Sequence, residues 1–177
     1  MKTEDITVFT PKEHKLYPKR YKSAYKQYDK YFVFIERAFK LLKEDGEMGY
    51  IVPSKFMKVG AGKELRKYIS SNKSIKAITS FGAHQVFSDK STYSCIIVLQ
   101  NKENDSFTYS EVDSLAKWKV RDLTSFSEKE RNISRMGEET WVLCSDRLQS
   151  ILNHISTQSL PLSEIVGDDY IFNGIQT

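Results

Sequence analysis

The segment Phe81–Gln100, FGAHQVFSDKSTYSCIIVLQ, constrains the fold more tightly than any other. One strand pattern, SIKAITSF (Ser74–Phe81), ends where it begins, and a second, STYSCIIVLQ, closes it. Two parallel strands need a crossover of roughly a dozen residues or more, usually a helix. The short polar connection between Phe81 and Thr92 cannot hold one, so the two strands are predicted to be antiparallel neighbours. The same connection poses a chemical question. It carries a lone aromatic, Phe87, among Gly, His, Gln, Ser, Asp, Lys and Thr.

Upstream, Tyr28, Tyr31, Ile35, Ala38 and Leu42 recur at three- and four-residue steps, with Phe32 and Phe39 widening the stripe. That period predicts an amphipathic helix. Asp29 lies near its start, and Gly46, after Asp45, is where a left-handed C-cap is expected. GYIVP (Gly49–Pro53) is a short apolar run closed by proline, the pattern of a buried strand. GKELRKYISS, with Leu65, Tyr68 and Ile69, predicts a second helix. Helix, strand, helix, strand, loop, strand is the rhythm of a layered α/β fold, here a parallel sheet ending in an antiparallel hairpin. SFTYSEVD (Ser106–Asp113) alternates with period two and fits one more strand. Residues 114–138 are charged and Ser-rich and are expected to form a linker. WVLCSDRLQSILNHIS carries one helical stripe, Leu148, Ile151, Leu152 and Ile155.

Composition narrows the functional classes. With 40% hydrophobic and 28% charged residues, the 177-residue chain is ordinary globular protein. No apolar run approaches the roughly 18 residues that span a bilayer, and the opening MKTEDITVF lacks the apolar core of a signal peptide. Cys95 and Cys144 lie far apart, as reduced cytoplasmic thiols do, and imply no disulfide framework. The net charge of +4 favours an anionic partner only weakly. Its distribution says more. Lys12, Lys15, Lys19, Arg20, Lys22, Lys26 and Lys30 stand against Glu13 and Asp29 alone, with Tyr17, Tyr21, Tyr25 and Tyr28 interleaved. This stretch has two readings: a solvated lead-in, or a phosphate-facing surface on which Lys and Arg set position and Tyr stacks or packs.

Familiar motifs fail on inspection. VGAGKELRK lacks the third glycine of a dinucleotide fingerprint, which would fall at Leu65. It also lacks the glycine and hydroxyl of a phosphate loop, which would fall at Met57 and Glu64. Gly60 and Gly62 therefore read as a flexible helix entry. His14, His84 and His154 are too scattered for a metal site, and no CxxC exists. Glu13-x-Lys15 lacks the Pro-Asp that would precede it in a nuclease. No spacing argues for a Ser-His-Asp or Cys-His centre.

Taken together, YDKYFVFIERAFKLLKEDGEMGYIVPSKFMKVGAGKELRKYI and FGAHQVFSDKSTYSCIIVLQ resemble the second half of the catalytic domain of adenine-specific DNA methyltransferases. The nearest kind is the one fused to restriction endonucleases in type IIG enzymes, with a target-recognition domain on its C-terminal side. The resemblance covers residues 28–100, with weaker echoes to residue 177. It rests on Tyr-Asp-x-Tyr, Ile-Val-Pro-Ser-Lys-Phe, Gln-Val-Phe and Thr-Tyr-x-Cys-Ile in that order. The closing LPLSEIVGDDYIFNGIQT resembles the entry to the recognition domain, where a Gly-Ile-x-Thr is common.

The resemblance implies an α/β fold, the C-terminal half of a Rossmann-like, S-adenosylmethionine-dependent methyltransferase sheet with an antiparallel terminal hairpin. It implies a basic, tyrosine-rich lead-in at 1–27, the second half of the methyltransferase domain at 28–113, linker and helix at 114–159, and the start of the recognition domain at 160–177. Phe87 corresponds to the aromatic that stacks on the extruded adenine. A buried plug under the hairpin is its alternative role. Stacking on a base is worth roughly 1–3 kcal/mol, comparable with the cost of unstacking it. Phe34 corresponds to an aromatic near the cofactor's adenine; its alternative is a helix-core phenylalanine. Lys55, Lys19, Arg20 and Lys22 are the expected DNA-phosphate contacts, with Lys55 at the carboxyl end of a strand, where open α/β sheets bind ligands.

The family's glycine-containing cofactor loop and its Asn-Pro-Pro-Tyr motif are absent from the sequence, so no catalytic residue is assigned. The chain is expected to be an excised piece, or a split or truncated gene product, inactive alone. Its expected partners are double-stranded DNA, the missing N-terminal half of the domain, and itself, through the exposed edge of strand 49–53. A non-catalytic DNA-binding or specificity module, or a structural remnant needing a partner half, is the rival reading.

Overall fold

Five strands make one mixed sheet, in the order β1-β3-β2-β4-β5: β1 Glu47–Pro53, β2 Ile75–Ser80, β3 Ser94–Gln100, β4 Ser106–Val112 and β5 Phe126–Asn132. They are seen in a computed structural model that describes residues 10–88, 92–120, 126–144 and 146–167. The predicted antiparallel pairing of β2 with β3 is present, with Ile78 opposite Ile97 and Ser80 opposite Cys95. The hairpin is not terminal, however. β3 lies between β1 and β2, antiparallel to both, while β4 runs parallel to β2 and β5 closes the order antiparallel to β4. β1, β2 and β4 therefore point the same way, and their carboxyl ends share one edge of the sheet.

The core lies on one face. Cys95, Ile97 and Leu99 of β3 are buried, while the alternate residues Ile96, Val98 and Gln100 are only half-buried. Against the buried face sit α2 (Lys30–Phe39), with Phe32, Ile35 and Phe39, and α3 (Lys63–Ser71), with Leu65 and Ile69. Each such aliphatic or aromatic side chain stabilises the fold by about 1.5–3 kcal/mol. The short α4 (Leu115–Lys119) brings Trp118 edge-on to Phe81, with ring centroids 5.6 Å apart.

Several expectations need correction. The polar lead-in contains a helix, α1 (Pro11–Arg20), which uses Pro11 in its first turn, where the missing N–H costs nothing, and carries Pro18 near its end. The buried stripe of α2 is Phe32, Val33, Ile35, Glu36 and Phe39, and the helix ends before Leu42. The left-handed residue after it is Asp45, with φ 56°, rather than Gly46. Gly46 is needed for space, since a Cβ there would meet the Lys43 carbonyl oxygen at 2.8 Å. β1, expected to be buried, exposes Gly49, Tyr50 and Ile51 because it lies at the margin of the sheet. Finally, the stretch 114–138, expected to be linker, holds α4, β5 and a 3₁₀ turn at Ile133–Arg135.

The chain divides into two compact units, Met1–Trp141 and Val142–Thr177. The second contains α5 (Asp146–Gln158), on the stripe the sequence predicts, and α6 (Leu162–Val166). Leu148, Ile151 and Ile155 on α5 are about half exposed. The Gly-Ile-x-Thr of residues 174–177 lies outside the described residues.

Candidate functional site

Three segments meet at the carboxyl edge of the sheet. The first is the start of α2. Tyr31 Oη donates to the Pro53 carbonyl at 3.0 Å, and Lys55 Nζ pairs with Asp29 Oδ2 at 2.5 Å, which fixes the helix start against the end of β1. The second is the 3₁₀ turn Ser54–Met57, which follows β1. Its Ser54 donates to the Tyr93 carbonyl from the main-chain N at 2.9 Å and from Oγ at 3.2 Å. The third is the connection from β2 to β3, which ends at Tyr93. It opens on Gly82, whose φ of +53° suits glycine, and Gly82 N donates to Ser80 Oγ at 3.1 Å.

Of the candidate residues, Phe87 and Lys55 lie on these segments, Phe34 further along α2, and Lys19, Arg20 and Lys22 on or just after α1. Phe87 lies in the third and is 48% exposed. Phe81, directly after β2, is buried at 1% exposure. Phe34 lies on the outer side of α2 at 51% exposure, so it is not a helix-core residue. Lys55 is partly exposed, and its charge is answered by the buried Asp29. Lys19 and Arg20 close α1, and Lys22 follows it; all three are exposed. α1 is tied to the start of α2 by the Lys30–Glu13 ion pair, with Lys30 Nζ 5.8 Å from the Tyr17 ring centroid. Lys30 lowers the pKa of Glu13, and Glu13 raises that of Lys30.

Sequence reasoning missed the anchors. Glu36 is fully buried and accepts from Ser23 N at 2.8 Å and from Lys40 Nζ at 2.5 Å, pinning the segment before α2 onto that helix. Burial pushes its carboxyl up, but the Lys40 ammonium and the Ser23 amide together hold it below the usual range. Arg66, 3% exposed, donates to three main-chain carbonyls: Phe56 at 2.6 Å and Val59 at 2.9 Å from Nη1, and Glu138 at 2.9 Å from Nε. Apart from the i,i+4 pair Glu36–Lys40, these contacts join different elements, which no periodicity signals. Tyr93, at 61% exposure, is a second open aromatic beside Phe87's loop.

Chemically, the edge offers flat rings and cations. Burial pushes the Tyr31 phenol far up and the Cys95 thiol up to about 12, so neither is an ionised nucleophile near neutral pH. Among the described residues no three His, Cys, Asp or Glu side chains converge as metal ligands, and no helix is long and apolar enough to cross a membrane. Such an edge can stack planar rings and bind phosphates. Proton transfer or covalent catalysis would need other groups.

Comparison with known proteins agrees on the kind of chain this is. Residues 1–87 match the model of the Eco57I restriction-modification methylase family. The whole chain is 45% identical, over 177 residues, to the type II restriction enzyme and methyltransferase RM.Eco57I of Escherichia coli, and covers 18% of it. An alignment taking in 85% of the chain is 30% identical to the type II methyltransferase M.BstVI of Geobacillus stearothermophilus, 30% of which it covers. The chain thus spans less than a third of the curated relatives it matches. Among solved structures, the type IIG restriction endonuclease BpuSI superposes with a TM-score of 0.57 at 12% identity, over 84% of this chain and 20% of BpuSI. That likeness is one of fold, and the fold class is the one expected from the sequence.

Proposed function

We propose, on the premise that residues 1–87 belong to the Eco57I restriction-modification methylase family, that the chain is a working part of an adenine-specific DNA methyltransferase. Its relatives are type II restriction-modification methyltransferases. The observation that carries the finer reading is the open ring of Phe87 at the carboxyl edge of the sheet. A base buried in a duplex is reached only by extrusion, and the extruded ring needs a flat partner. Phe87 stacks on that adenine. Lys19, Arg20 and Lys22 neutralise DNA phosphates, and Lys55, already balanced by Asp29, contributes less.

The cofactor of this chemistry, S-adenosylmethionine, supplies the methyl group when bound. Phe34, open on α2, fits one side of its adenine ring. The chain itself contributes stacking and anchoring, since its buried thiol and phenol are protonated near neutral pH. These 177 residues include no Asn-Pro-Pro-Tyr, and alone they transfer no methyl group. The edge of β1, open among the described residues, receives the remainder of the domain or, failing that, a second copy. The setting is the cytoplasm, where DNA and reduced thiols coexist.

The test is a chimera in which this chain replaces the matching segment of the Escherichia coli relative. Labelled methyl groups should pass to N6 of adenine in duplex DNA, and the chain alone should pass none. In the chimera Phe87→Ala should lower the rate by roughly 5- to 150-fold, the equivalent of one base-stacking interaction. A folded but inactive chimera, or a methylated base other than adenine, would overturn the reading.

A further inference from the structure

The loop after β1, Ser54–Gly62, is exposed at its crest yet fixed throughout. Lys58 and Val59 are exposed, and around Gly60 an added Cβ would find nothing within 4 Å. Beneath them the main chain is held from several sides. Arg66 Nη1 bonds the carbonyls of Phe56 and Val59, on either side of Lys58. The amides of Lys58 and Val59 both donate to the Lys55 carbonyl, at 2.9 and 3.0 Å. Trp141 N donates to the Met57 carbonyl at 2.8 Å, and its ring lies edge-on to Phe56. Gly62 makes room for this arrangement, because a Cβ there would come within 2.2 Å of the Phe56 carbonyl oxygen and 2.8 Å of Arg66 Nη1.

The charges are distributed unevenly. Asp29 is taken by Lys55, and Glu138 by Lys63 and Lys67, at 3.2 and 3.1 Å. Among the described residues no carboxylate lies within ion-pair distance of Lys58. A buried guanidinium is costly to desolvate, and here its Nη1 is committed to two carbonyls of this loop. A loop held in this way presents a cation without the ordering cost that a mobile one incurs on binding.

We propose that Lys58 contacts a DNA phosphate and that Arg66 is the positioning residue that presets its loop. The inference rests on the DNA-binding part of the reading above, and adds a contact site to it.

The test uses the full 177-residue chain and a short DNA duplex, with affinity followed by fluorescence anisotropy from 50 to about 200 mM salt. Lys58→Ala should weaken binding and reduce the slope of log K against log salt by about 0.9, the value of one phosphate. Lys58→Arg should restore it. Arg66→Lys, which keeps the charge but loses the fork, should reproduce the loss, and adding Lys58→Ala to it should change nothing further. If Arg66→Lys does not fold, two glycines inserted after Gly60 serve instead, loosening the crest without touching its anchors. That insertion should weaken binding several-fold. An unchanged slope for Lys58→Ala overturns the phosphate contact. Additive effects of the two substitutions, or full affinity in the glycine insertion, overturn the positioning role. Absence of salt-dependent binding by the parent overturns both, whereas an inactive chimera with the Lys58 effect intact overturns the methyltransferase reading alone.

Discussion

The two margins of the sheet are built on opposite rules. β5, SFSEKERN in context, places Glu128, Lys129, Glu130 and Arg131 in succession along the margin, and Ser106 Oγ of β4 donates across to Glu130. Charge on an edge strand repels further pairing. β1 has no such guard. Between Glu47 and Pro53 it is MGYIV, with Tyr50 at 37% and Ile51 at 46% exposure, and its only strand neighbour among the described residues is β3. One margin has the composition of an end, the other that of an interior strand. The difference makes β1 the margin open to further pairing and β5 the guarded one.

The largest effect should come from the interior that both margins share. Phe56 is fully buried against Trp141, and Phe56→Ala should cost about 3–5 kcal/mol in urea unfolding of the chain. A loss below about 1 kcal/mol would mean that the turn after β1 is not part of the core. Exchanging the rules of the two margins comes next. Ile51→Lys should change the chain's own stability by less than about 0.5 kcal/mol, as exposed substitutions do. If the remainder of the domain covers this margin in the chimera, as proposed, it should cost at least the roughly 1.5–3 kcal/mol of a buried isoleucine there. Equal costs in the two settings would show that nothing pairs there. The mirror change, Glu128→Val with Glu130→Val, should make the chain associate at the β5 edge, seen as concentration-dependent sedimentation.

This contrast also marks how far the sequence was legible. β2, β3 and α3 were readable because their apolar residues follow the local period and end in turns. β5 was not, because a strand at a solvated margin has the charge pattern of a linker. β1 misled in the opposite sense: its apolar run predicts burial, and the described residues leave Ile51 open. α1 was hidden by Pro11 and Pro18, which a helix accommodates at its first turn and near its end. At the site, Phe34, Lys55 and Phe87 were assigned by motif; the structure leaves both phenylalanines about half exposed and pairs Lys55 with Asp29. The partners that hold them could not be read. Asp29 meets Lys55, and Arg66 reaches Glu138 72 residues on, through tertiary contacts that leave no periodic trace.

The smallest predicted effect separates the margins by pH. On the β1 side, α2 is joined to the preceding segment through the buried carboxylate of Glu36, whereas Glu128 and Glu130 on β5 are surface charges. Burial opposes the ionised form of Glu36, and Lys40 and Ser23 more than offset it, so the folded-state pKa lies below the unfolded value near 4.5. A depressed carboxyl stabilises fully above the unfolded pKa, and that stabilisation disappears as pH falls through the folded one. Glu36→Gln lacks the ionisation, so its urea midpoint should fall short of the parent's most at pH 7. The gap should narrow progressively below about pH 4.5. Taking the difference between the two proteins cancels the titration of Glu13 and Glu138, which both share. Amide exchange in the parent should then show α2 and the segment before it loosening in acid ahead of β4 and β5. A gap constant from neutral to acid pH would mean that Glu36 contributes by shape and hydrogen bonding alone, and that the two margins respond to acid alike.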